Sequence, residues 1–340
     1  MSNRKMELQQ AIESIAKKES FSGVSYAKEA GDVLAASSFG FANRSDQRLN
    51  AVTTRFGIAS GCKLFTAIAI CQLVEAGKLT FQAKLNDCLA IEFPHFDNDI
   101  TVHHLLTHTA GIPDYFDEAV MDDFEDLWKQ TPMYLLKELQ DFLPLFQEQK
   151  MMFRPGDKFH YNNAGFIILG LIVEQQSGLR FTDYVDKHIF KRFGMKDSGY
   201  FSMDKLPPNT AYGYIDEEDG TWRTNHYSIP IKGGADGGAY TAAQDIIKLW
   251  EALFHNEVLS KEITDTLLTP HVRVNEGVHY GYGIWINSNE SDITKFHIMG
   301  YDPGVSFHAA YYPKSDTKVA ILSNKSNGAF QVMQAIESYI

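Results

Sequence analysis

Met6, Ile12, Ile15 and Ala16 recur at helical spacing, so residues 4–18 read as a surface helix lying on something larger. Two strand-like runs follow, at 21–28 and 33–42, and the Gly31-Asp32 turn between them makes a hairpin. The pattern changes at residues 55–77. A short strand-like run ends at Ser60, an almost wholly apolar helical segment continues from Leu64, and Gly77 stops it. A helix that is apolar on every face must lie buried in a large core. The short run before Ser60 is expected to join the same sheet as the hairpin.

From residue 79 to about 205 the character turns to helices and loops. Residues 102–108 read as a short helix before the turn Thr109-Ala-Gly-Ile-Pro113, and residues 117–149 as acidic, aromatic and helical. Residues 166–176 form a second buried helix ended by Ser177-Gly178. Strand signals return after Pro207-Pro208, at 212–215, 282–286, 305–312 and 317–322, interleaved with helices near 242–255, 260–268 and 330–340. The economical arrangement is a sheet built from both ends of the chain, 1–78 and 206–340, enclosing a helical lobe at 79–205.

Composition narrows the function without naming it. A chain of 340 residues, 44% hydrophobic and 22% charged, describes an ordinary globular protein. With 31 basic against 43 acidic residues the formal charge is −12, which argues against nucleic acid or an anionic membrane as partner. The N-terminus has no apolar core of the kind a secretory signal carries, and no apolar run approaches the ~18 residues of a membrane span, so a cytoplasmic location is expected. Cys62, Cys71 and Cys88 lack metal-type spacing and suit a reducing compartment.

Candidate chemistry starts at Ser60 and Lys63, which share one face of a helix's first turn, as a serine activated by an amine would require. Ser-x-x-Lys occurs six times in the chain, but only the copy at Ser60 opens a wholly apolar helix. Burial there favours the neutral amine that a general base needs. Cys62 is the rival nucleophile, although no histidine stands nearby in sequence to activate it. Tyr161-x-Asn163 is the only Tyr-x-Asn in the chain and sits just ahead of the second buried helix. It suits a phenol that shuttles a proton and an amide that holds a substrate carbonyl, or a packed tyrosine with Asn162 or Asn163 as a helix cap. His104 and His108 have the i,i+4 spacing of metal ligands without the glutamate of a zinc-hydrolase helix. The glycine-rich stretch 232–238 lacks the Lys-Ser/Thr ending of a phosphate loop and reads as a turn near a substrate cleft, and 114–128 reads as a cleft wall or lid helix.

Four segments together carry a family resemblance: Phe56-Gly-Ile-Ala-Ser-x-x-Lys-x-Phe-Thr-Ala67, His103-His-Leu-Leu-Thr-His-Thr-Ala-Gly-Ile-Pro113, Arg154-Pro-Gly-x-x-Phe-x-Tyr-x-Asn163 and Asp302-Pro-Gly-Val-Ser306. In this order, over roughly residues 20–325, the chain resembles the serine β-lactamase-related family, which groups class C β-lactamases with penicillin-binding DD-peptidases, D-amino-acid-specific peptidases and esterases. The resemblance implies an α+β, β-lactamase/transpeptidase-like fold, an antiparallel sheet flanked by helices plus an all-helical lobe. It implies a serine hydrolase without cofactor or metal, acting on a small acyl, peptide or lactam substrate. Ser60 would be the acylated nucleophile, Lys63 its base, Tyr161 the proton relay and Asn163 a substrate hydrogen-bond donor, with Gly300 at the family's third motif and the amides of Ser60 and Tyr301 as oxyanion donors. The third motif departs from the family. Counting back from Pro303-Gly304, Ile298 takes the position of its lysine or histidine, and His297 falls one residue early, on the opposite face of a strand. The missing cation makes a substrate carboxylate harder to hold, and it motivates the alternative of a non-catalytic or weakly catalytic ligand-binding protein on the same scaffold.

Overall fold

In the computed structural model, which describes residues 3–121, 123–289 and 292–340, the N-terminal helix α1 (Asn3–Lys18) leads into the hairpin β1 (Gly23–Glu29) and β2 (Asp32–Phe39). Six strands from the C-terminal third complete the sheet: β3 (Val272–Asn275), β4 (Val278–Tyr280), β5 (Trp285–Asn289), β6 (Asp292–Asp302), β7 (Val305–Tyr312) and β8 (Thr317–Ser323). The order is β2-β1-β8-β7-β6-β5-β4-β3, with every neighbouring pair antiparallel. Both ends of the chain therefore build one eight-stranded sheet.

Alternation along β8 explains the layers. Helix α2 is Lys63–Glu75, α3 Asn163–Ser177, α4 Ala243–Phe254 and α5 Ala329–Glu337. Val319 and Ile321 face α1 and the C-terminal helix α5, together with Leu8, Ile12, Val332 and Ile336. Ala320 and Leu322 face the larger core, which holds helices α2 and α4 and residues such as Ile68, Trp250 and Phe307. A strand covered on both faces reads as an unbroken apolar run, as this one does. Every α2 residue from Lys63 to Cys71 is buried, and α2 packs beside α3, which Gly178 terminates in the left-handed conformation. Among the described residues, positions 79–205 contribute no strand to the large sheet, and no helix is long and apolar enough to cross a membrane.

Several expected elements take another form. Residues 117–149, of which 122 lies outside the described residues, form no α-helix; only 3-10 turns occur, at Phe124–Lys129, Met133–Leu135 and Leu139–Leu145. Pro132 and Pro144 interrupt the backbone ladder, and Trp128, Met133, Leu136 and Phe142 are buried without helical periodicity. The run before Ser60 does not join the large sheet: Phe56–Gly57 pairs with Tyr240–Thr241 as a separate two-stranded sheet. The strand expected at 212–215 is Tyr214–Asp216, paired with Trp222–Thr224. The strand expected at 282–286 starts at Trp285, because Gly283 adopts a positive φ and presses against the Lys63 carbonyl.

Candidate active site

A 3-10 turn, Ala59–Cys62, carries Ser60 into the first turn of α2. Ala59 has φ +45°, a conformation that L-residues rarely adopt, so the surrounding packing must hold it. Part of that packing is β6, whose Gly300 lies flat on the turn, and part is Phe307 of β7, whose ring occupies the space beside Gly61.

Three residues after Ser60, at the start of α2, Lys63 is only 1% exposed. Its Nζ lies 2.9 Å from Ser60 Oγ, 2.8 Å from Asn163 Oδ1 and 2.7 Å from the Asp236 carbonyl oxygen. The amine thus has three acceptors, none of them a carboxylate. Asn163 opens α3, where Asn162 is the cap and accepts from the Gly165 amide. Its Nδ2 is turned towards the Phe116 carbonyl at 3.3 Å and Asp114 at 3.4 Å. The side chain first read as a substrate donor therefore spends its oxygen on Lys63. Asp114 takes the amides of Asn163 and Ala164 at 2.7 and 2.9 Å, and burial nonetheless pushes its carboxyl up to about 7.

Tyr161 borders the pair from the loop before α3. Its ring centroid is 4.9 Å from Lys63 Nζ, and its phenol is within hydrogen-bonding reach of Ser60. Burial holds that phenol well above its usual range, so it stays protonated. Two rings fix its orientation: His108 at 4.4 Å and Trp285 at 6.2 Å, nearly parallel. His108 accepts the Asn162 amide on Nδ1, which leaves Nε2–H to donate to the Tyr280 hydroxyl at 3.2 Å. Burial keeps this imidazole neutral. His104 turns elsewhere, accepting the Thr101 amide, so the two histidines serve separate purposes.

A cavity of about 590 Å³ opens in front of Ser60, lined by Asn163, by the 232–238 glycine-rich stretch, and by Tyr301 and Asp302 at the end of β6. Phe116 and Phe124 form part of the opposite wall, which corrects the expected lid helix at 114–128 to a wall of loop and 3-10 turn. Ile298 is 2% exposed and belongs to the main core, paired with Ala309. The β6–β7 register runs unshifted from Phe296 to Asp302, so no bulge turns His297 towards the nucleophile, and it stacks against Trp285 instead. Cys62 is fully buried, facing the Gly234 carbonyl at 3.6 Å, and burial pushes its thiol up to about 12, which removes it as a nucleophile.

The carboxylates around the site were not read from the sequence. Asp236 is 6% exposed and accepts from the Tyr115 hydroxyl, while burial and the neighbouring Asp236 push Asp302 up to about 7. Both stand in segments that could have suggested them, the glycine-rich turn and the Asp-Pro-Gly motif.

The fold recurs in known proteins. A profile of the Beta-lactamase family matches residues 8–337. A penicillin-binding protein of Bacillus subtilis (strain 168) is 30% identical over 95% of this chain and 72% of its own length. The crystal structure of a penicillin binding protein from Bacillus halodurans superposes with a TM-score of 0.94 at 56% identity, over 97% of this chain and all of that one. A D-stereospecific amidohydrolase from Streptomyces sp. shares the fold, with a TM-score of 0.82 at 20% identity over 97% of both chains.

Proposed function

Because this chain belongs to the Beta-lactamase family, we propose that it is a serine hydrolase that forms an acyl-enzyme on Ser60 from an ester, amide or lactam. One observation carries the reading: a buried amine, Lys63, sits 2.9 Å from the Ser60 hydroxyl and has only carbonyl oxygens as its other partners. Two of its directions go to Asn163 Oδ1 and the Asp236 carbonyl, and the third points at the Ser60 hydroxyl.

Ser60 Oγ then adds to the acyl carbon as its proton passes to Lys63. The developing oxyanion is received by the amides of Ser60 and Tyr301, each worth ~10²–10³ in rate. Tyr161, protonated at neutral pH, donates to the departing amine or alcohol and recovers a proton from Lys63 as the C–N or C–O bond breaks. Water completes the cycle by the same steps in reverse, leaving a free acid and Ser60. The names of the two Bacillus relatives support a β-lactam as one acylating probe.

A fluorophosphonate and a penicillin are the direct test. Each should add one adduct mass located on Ser60, absent from Ser60→Ala. An adduct of undiminished amount in that variant would refute the assignment. A second reading, binding without turnover, is motivated by Ile298 in place of a cation; steady hydrolysis of any acyl ester that depends on Ser60 and Lys63 would exclude it.

A further inference from the structure

The acyl-enzyme reading leaves the charge of the acyl donor open, and the cavity wall bears on it. Phe116, Phe124, Phe142, Phe201 and Ile229 supply an apolar side. Several of its polar side chains carry acceptors. Asp236 has one carboxylate oxygen taken by Tyr115. Asn225, 2% exposed, donates its Nδ2 to the Pro303 carbonyl and leaves a buried Oδ1 without a partner. The side chain of Asp302 makes no hydrogen bond or ion pair among the described residues. Glu118 and Asp123 add negative charge at the rim, and Lys232 is the one basic side chain among the lining residues. Lys63 faces this field from behind, its three bonds already committed. Where the family pattern has a cation, Ile298 is sealed in the core.

A carboxylate in partly desolvated surroundings with no partner is costly, and a cation brought by a ligand removes that cost. A substrate carboxylate would meet the opposite situation, a wall whose ionisable side chains are acidic apart from Lys232 and the tyrosines. We propose that this cavity selects an acyl donor bearing a protonated amine beside a bulky apolar group, with Asp302 as the specificity-determining residue that pairs the ammonium. The inference rests on the acyl-enzyme reading for its chemistry and on the cavity wall for its charge. Burial, and after it the neighbouring Asp236, push the Asp302 carboxyl up to about 7, and an added cation would act in the opposite direction.

Two probes of equal bulk and opposite charge test it, 2-phenylethylamine and 3-phenylpropanoate, titrated calorimetrically into the intact protein at pH 8. The amine should bind at least tenfold more tightly, and Asp302→Asn should reduce its affinity about tenfold while leaving phenylpropanoate unchanged or improved. Equal affinities, preference for the carboxylate, or undiminished amine binding by a folded Asp302→Asn would overturn the proposal. The comparison in the wild-type protein decides the matter even if the variant does not fold. Fluorophosphonate labelling of the same samples separates the two readings: a protein that binds the amine but leaves Ser60 unlabelled keeps the charge preference and loses the acyl-enzyme.

Discussion

A Cβ built on Gly300 would come within 2.2 Å of the Ile58 carbonyl oxygen, 2.8 Å of the Ser60 amide nitrogen and 2.9 Å of the Gly61 amide nitrogen. All three are backbone atoms, so nothing flexible can yield. The strand must therefore carry glycine there for the nucleophile's turn to lie against it, and the turn already holds Ala59 at a positive φ. Gly300→Ala should slow acylation of Ser60 by at least ~10², the scale of one lost oxyanion donor, and cost ~1–3 kcal/mol through overpacking. Labelling kinetics with a fluorophosphonate, alongside thermal denaturation, read both; wild-type labelling rates would show that the close approach has no catalytic consequence. His108 makes the complementary point. As a sequence feature it resembled half of a metal site, whereas its ring in fact joins the Asn162 amide to Tyr280 and lies against Tyr161.

At the scale of elements, legibility followed burial pattern. Helix α2 was readable because every face is apolar, and the β1–β2 hairpin because its turn is marked by Gly31-Asp32. Strands β3, β4 and most of β6 were not, since their exposed and buried positions mix polar residues such as Arg273, His279, Thr294 and Lys295 with few β-branched runs. The 117–149 stretch misled because its composition carries no helical periodicity; its aspartates and aromatic residues are weak helix formers, and two prolines and irregular burial decide against a helix. Of the site, Ser60, Lys63, Tyr161 and Asn163 could be picked out by motif. The neighbouring carboxylates Asp114, Asp236 and Asp302 stand inside stretches that the sequence singles out, but only tertiary packing shows that these are the side chains that reach the site. Asp114 shows what such a residue contributes. It caps α3 by accepting two backbone amides at the end that carries Asn163. Asp114→Ala should cost ~1–2 kcal/mol at pH 6 and loosen the hold of Asn163 on Lys63, so denaturant midpoint and Ser60 labelling rate should fall together; a loss of stability with unchanged labelling would confine its role to the helix end.

Across the whole molecule, buried titratable groups set opposing pH dependences. Burial lowers His103 and His308 to about 4 and holds His108 and His297 well below the usual value. The unfolded chain binds more protons at these sites from about pH 4 to 6.5, so stability rises with pH across that window. Asp114 and Asp302 run the other way. Their carboxyls stand near 7 when folded, with Asp302 facing Asp236, Glu118 and Lys63. The folded chain therefore binds more protons from about pH 4 to 7, and stability is lost as pH rises through the folded value. At pH 6.5 the unfolded histidines are still half protonated, so four of them outweigh the two carboxyls until the slopes balance near pH ~7. The melting temperature should accordingly rise from pH 5 and level off between about pH 7 and 8. In Asp302→Asn the gain from pH 6 to 8 should be larger by of order 1–2 kcal/mol, after allowing for the partial exposure of that carboxyl. Calorimetric scans of both proteins at pH 5, 6, 7 and 8 check this. A variant whose profile parallels the wild type's from pH 6 to 8 would mean that Asp302 is not the strained group this arrangement implies, and would remove the electrostatic reason for it to seek a cation.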